Sequence, residues 1–287
     1  MSLLQEFEDK IYTPRKPGSE NSPLLKKGKE TFEFIEKYLK SYDKIFGGGN
    51  YDETGNTFQY DNLLKVMLTG LPSNDWMPPL LCYFEKFKHE MGMEFLTKLN
   101  NKFSADWISQ YSPTKRIANM NQIISIIESK SSCEDVLSDK CFDIDSESFK
   151  RVVESAVYGR RFTRFLLLML DYYYQDHSHQ MSIETLSVEH ILPQNPKADS
   201  LWKKIFSEEE RAEWTDRLGN LVMITSRKNS SQGRLDYKEK RDRYFEKRIT
   251  TCPNSLRLLH NNQWTPLEVA ANQDEVTKKI YANYAVR

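Results

Sequence analysis

Apolar residues recur at helical spacing along most of the first 180 positions. Between Lys26 and Phe46, the residues Phe32, Ile35, Tyr38, Leu39, Tyr42, Ile45 and Phe46 mark one face of an amphipathic helix, which Gly47, Gly48, Gly49 and Asn50 bring to a stop. Similar patterns cover about Tyr60 to Leu68, Leu80 to Leu99, Ile117 to Ile127, Phe149 to Val157 and Phe162 to Tyr174, with Pro, Gly, Ser and Asp clusters between them.

The period changes after Gln175. A polar stretch gives way to Leu186-Ser187-Val188-Glu189-His190-Ile191, which reads as a short strand, and Asn220 to Thr225 reads as a second. Ser207 with Glu210 forms a capping box for a helix running towards Gly219. A charged helix follows from about Tyr237 to Arg248. Thr265-Pro266-Leu267-Glu268 then opens a last helix reaching about Tyr284. The expected fold is a mainly α N-terminal domain over 1–180 and an α+β C-terminal domain over 181–287, with the boundary at 176 to 182. A length of 287 residues suits two domains.

Composition narrows the class. Forty-one basic and forty-one acidic residues cancel, so only local charge can argue for nucleic acid. One stretch does: Arg227 to Arg248 carries nine basic side chains against four acidic ones, a local balance of +5. Lys228, Lys240 and Arg243 are the expected phosphate contacts, giving salt-dependent and largely sequence-blind affinity. The four cysteines form no CxxC pair, which argues against a zinc site. The run Phe165 to Leu170 falls far short of the roughly 20 residues that span a bilayer. No secretion signal opens the chain, and a cytoplasmic location is expected.

The chemistry concentrates in Glu189-His190-Ile191-Leu192-Pro193-Gln194 and in two asparagines nine positions apart, Asn220 and Asn229. Phosphodiester hydrolysis requires an activated water, stabilised charge on the phosphoryl oxygens and a neutralised leaving oxygen. A neutral imidazole with a reference pKa of about 6.5 makes His190 the candidate base. Glu189 and the Asn229 amide oxygen are hard donors suited to one Mg²⁺ or Mn²⁺ ion. Asn220 follows a glycine where its amide is placed to bond backbone across the loop. Neighbouring residues on a strand point to opposite faces, so Glu189 and His190 share an ion only if the strand ends or twists there; Pro193 favours an ending.

These residues carry a resemblance. The hexapeptide, Arg217-Leu218-Gly219-Asn220-Leu221, Asn229-Ser230-Ser231 and the Tyr237, Lys240, Tyr244 spacing resemble the C-terminal nuclease domain of GmrSD-type restriction enzymes, a branch of the HNH or His-Me finger superfamily. The fit covers about 183 to 287. Asn220 to Asn229 is also similar to the HNH domain of RNA-guided nucleases. The resemblance implies a ββα-metal core, a single divalent ion, and products with 5′-phosphate and 3′-hydroxyl ends. By this matching His190 is the base, Glu189 and Asn229 hold metal, and Asn220 braces the loop. Many relatives have Asp in place of Glu189 and His in place of Asn229, so a water-mediated contact from the longer carboxylate is the alternative to direct ligation. GmrSD-type nucleases usually follow a nucleotide-dependent ParB-like domain, and the sequence holds neither its Asp-Gly-Gln-Gln-Arg motif nor a P-loop. The expected partners are therefore DNA and an upstream nucleotide-dependent domain or subunit.

The expected activity is divalent-metal-dependent DNA cleavage in restriction or phage defence. The competing expectation is a catalytically inactive DNA-binding or protein-interaction module. His177 and His179 read as a solvated linker, and Trp202, Trp214 and Trp264 as core anchors. Tyr172 to Tyr174 read as interdomain packing.

Overall fold

The computed structural model describes residue 5 and residues 7–12, 25–47, 58–183, 186–225, 233–246 and 252–286. Helices dominate, and among the described residues the only sheet has two strands.

The first long helix, α1 (Lys29–Phe46), packs on α3 (Met77–Phe87); α2 (Gln59–Gly70) lies between them in sequence. The Lys37 ammonium stands 3.0 Å from Glu85 across the α1–α3 contact. The single helix expected over Leu80 to Leu99 is two. Lys88 and Met91, at φ 58° and 47°, take left-handed conformations that break the run before α4 (Gly92–Ile108). The apolar spacing carries across the break because Tyr83 of α3 stacks on Phe95 of α4, ring centroids 3.8 Å apart. The Tyr83 hydroxyl then ties off the turn by donating to the Glu90 carbonyl at 2.8 Å.

α5 (Pro113–Ser129), α6 (Cys133–Leu137) and α7 (Ser146–Val153) complete a shell around α4. Next comes α8 (Thr163–Tyr174), in which Phe165 to Leu170 are all essentially inaccessible. A helix apolar on every side must lie inside. α8 accordingly contacts α2, the second strand and the two last helices.

The strands β1 (Leu186–His190) and β2 (Leu221–Thr225) pair antiparallel, with Glu189 opposite Val222 and His190 opposite Leu221. Between them come α9 (Trp202–Ile205), α10 (Glu208–Trp214) and a 3₁₀ turn, Leu218–Asn220. After them come α11 (Tyr237–Glu246), α12 (Pro253–Leu259) and α13 (Pro266–Asn283). Both expected capping boxes form, Ser207 with Glu210 and Thr265 with Glu268.

Alternation along β2 divides the sheet between two cores. Leu221 and Met223 join the large core built by the helices, whereas Val222 and Ile224 join a smaller one with Trp202, Phe206, Tyr237 and Trp264. Trp214 packs at the edge of that smaller core. The large core continues through Leu218, Val276 and Ile280 without a break near residue 180. No helix among the described residues is long and apolar enough to cross a membrane.

Candidate active site

β1 ends at His190, and the alternation that separates neighbouring residues decides where the two leading side chains go. Glu189 shares the face of Val222 and turns towards the small core. His190 shares the face of Leu221 and meets the helical part of the chain.

The His190 Nε2 lies 3.0 Å from Asp216 Oδ1. Its ring packs edge-on against Tyr158 at 4.2 Å between centroids. Among the described residues its Nδ1 has no hydrogen-bond partner. The ring opens onto a surface cavity of about 220 Å³ lined by Tyr158, Glu189, Gln194 and Arg234 among others. Burial holds the imidazole below its ordinary 6.5, with the Asp216 hydrogen bond and charge pulling the other way. A neutral ring with one nitrogen bonded and the other unengaged is an available base near pH 7.

Asn220 is fully buried. Its Oδ1 accepts from Leu192 N at 2.8 Å and from Trp264 Nε1 at 3.3 Å. Its Nδ2 donates to the Leu192 and Thr215 carbonyls at 2.9 and 2.8 Å. The Ile191 N–H bonds the Asn220 carbonyl at 3.0 Å. The residue thus ties the chain leaving β1 to the chain entering β2. Gly219 allows this because α13 lies against it. A Cβ there would stand 2.7 Å from the Gln273 backbone, while Gln273 Oε1 accepts from Gly219 N at 2.7 Å.

Lys240 departs from expectation. Its ammonium is almost inaccessible and donates to Glu189 Oε1 at 2.8 Å and to the His190 carbonyl at 2.6 Å. Burial lowers its pKa and the Glu189 carboxylate opposes that shift. In this arrangement Lys240 does not reach a DNA phosphate; its place on the inner face of α11 outweighs the basic composition around it. Arg243, three residues on, is exposed. Lys228 and Asn229 lie outside the described residues.

The inner side of Glu189 is closed. A void of only about 10 Å³ remains between it, Val222, Ile224, Tyr237 and Lys240, room for about one water at most. Glu189 is also among the residues lining the cavity beside His190, while its carboxylate is buried against Lys240.

Asp216 and Tyr158 emerge only from the fold. No spacing announces either, since Asp216 reaches the site through the turn before Asn220, and Tyr158 through a backbone junction. The Val157 and Tyr158 N–H groups both donate to the Asp216 carbonyl, at 2.9 and 3.1 Å, and Ala156 forms a bridge with Arg217. His177 and His179 stay away from the site: the His177 ring packs against Tyr172 and lies 3.3 Å from the Asn62 amide nitrogen.

Elsewhere, Glu90, Cys133 and Glu134 bring two carboxylates and a thiol together on the helical part. Burial pushes the Cys133 thiol up to about 11, which keeps it protonated and a weak ligand.

No curated protein and no solved structure matches the chain. Residues 143–279 match the family model described as GmrSD restriction endonucleases, C-terminal domain; the match takes in α7, α8, both strands and the site around His190. That part of the chain is therefore similar to the C-terminal domain of GmrSD restriction endonucleases.

Proposed function

We propose that the protein is a divalent-metal-dependent DNA endonuclease of the His-Me finger kind, acting in restriction of foreign or modified DNA. The observation that carries the proposal is His190 itself, a partly desolvated imidazole at the end of β1 with Nε2 engaged and Nδ1 without a partner beside a cavity. In this reading β1, β2 and α11 form the ββα core.

His190 takes a proton from water at Nδ1 as the water attacks phosphorus, and the imidazolium is held next to the Asp216 carboxylate. Asn220 keeps the strand end carrying His190 in place through its bonds to Leu192. Arg243 and Lys228 supply phosphate contacts around the cut strand.

The donors bordering the cavity fit a hard cation. Glu189, one of the residues lining the cavity, is assigned as the carboxylate ligand, and Asn229 as its companion. When bound, a divalent ion stabilises charge on the phosphoryl and leaving oxygens.

A second reading has one observation in its favour. The Glu189 charge is already neutralised by Lys240, as expected of a DNA-binding module that no longer takes metal. Supercoiled plasmid separates the two. The nuclease reading predicts nicks with Mg²⁺ or Mn²⁺ that ligase reseals, and none with chelator. Plasmid that stays supercoiled while binding DNA in a salt-dependent manner selects the inactive module.

A further inference from the structure

Where Nε2 of His190 is bonded decides which ring nitrogen can accept a proton. We infer that Asp216 is the positioning residue of His190: its carboxylate accepts the Nε2–H hydrogen bond and thereby reserves Nδ1 as the base. The inference rests on the nuclease reading for its activity consequence, but the geometry stands apart from it.

Five contacts fix the carboxylate and the ring together. Asp216 Oδ1 lies 3.0 Å from His190 Nε2, and Gln194 Nε2 donates to the same oxygen at 3.0 Å. The Asp216 carbonyl accepts from both Val157 and Tyr158 N–H, so its backbone cannot swing away from the junction with the helical part. The same junction lays the Tyr158 ring edge-on against the imidazole. A ring clamped by a carboxylate at one nitrogen and an aromatic edge beside it has one favoured tautomer and one orientation.

The role also explains why the helical segment before α8 belongs with the nuclease. Residues 156–158 contribute no charge and no hydrogen bond to His190, yet they hold Asp216 where its side chain is useful. The family match beginning at residue 143 includes them.

Nitrogen-15 spectra of the imidazoles at pH 8 test the assignment directly. There are five histidines, so the His190 signals are identified as those missing in His190→Asn. Wild type is expected as the Nε2–H tautomer, and Asp216→Ala as a mixture. Asp216→Glu, which restores an acceptor, is expected to recover the Nε2–H form in part. In plasmid nicking, Asp216→Ala is expected to lower kcat about tenfold to a hundredfold with KM for DNA changed less than about twofold. Asp216→Glu is expected to lie between the two. Thermal melting of each variant guards against misfolding, and Asp216→Leu, which also removes the acceptor, serves as the alternative should Asp216→Ala not fold. An unchanged tautomer in the folded variant that lacks the acceptor overturns the inference whether or not the protein cuts DNA. A wild type that shows the Nε2–H form yet never nicks DNA upholds the positioning and sinks the nuclease reading instead.

Discussion

At the scale of single residues, Asn220 uses its amide fully: two bonds accepted at Oδ1 and two donated from Nδ2, all to groups of this chain. Replacing it with Ala strands the Leu192 and Trp264 N–H groups and two carbonyls in a buried place, at a cost of about 3 kcal/mol. Urea unfolding is expected to show that loss. Asn220→Asp should restore less than half of it, because a carboxylate cannot donate to the Leu192 and Thr215 carbonyls; full restoration would refute the bracing role. His190 makes a second prediction. Burial depresses its pKa below 6.5, so the neutral base persists as pH falls to 6.5, and the acid limb of nicking should have its midpoint under that value. The stability contribution has the matching sign. The unfolded chain binds the proton more readily, so stability rises with pH from the lowered folded value up to 6.5 and is flat above. A midpoint at or above pH 7 would contradict this.

At the scale of elements, α11 is fastened to β1 by the buried Lys240–Glu189 pair. Lys240→Met leaves a buried carboxylate alone and is expected to cost about 3 to 5 kcal/mol, most of which Glu189→Gln added to it should return. Additive losses in that double-mutant cycle would mean the pair is not coupled. Asp171 joins α8 to α12 by accepting from Asn254 N at 2.9 Å, and burial raises its carboxyl to about 7. A raised acid contributes stability below its unfolded value of 3.8, lost as pH rises through about 7. Asp171→Asn should therefore gain on wild type between pH 4 and pH 8, as urea midpoints will read. The element pattern was largely legible beforehand because helical periodicity and both capping boxes are local signals. The break at Lys88 to Met91 was not, since apolar spacing runs across it and only the packing of Tyr83 on Phe95 reveals two helices. In the site, His190 and Asn220 could be read from a motif, whereas Asp216 and Tyr158 become neighbours of His190 only through long-range pairing. Lys240 misled because a basic stretch carries no mark of which side chain faces inward.

For the whole molecule, the helices and one face of the small sheet share a core, so the segment carrying Tyr158 reaches the strand end that carries His190. The proposed function assigns DNA binding to the exposed side of α11 and its surroundings. Arg243→Ala is expected to weaken binding about equally for all sequences and to reduce the salt slope by about 1, measured by fluorescence anisotropy against salt concentration. Lys240→Ala should instead act mainly through folding. The central claim is that His190 activates water for phosphodiester cleavage. Plasmid nicking by wild type and by folded His190→Ala, with Mg²⁺ or Mn²⁺, tests it most directly. The account predicts metal-dependent nicking by wild type and a rate at least about 100-fold lower in the variant. Equal nicking by the two proteins, or none by wild type, would contradict it.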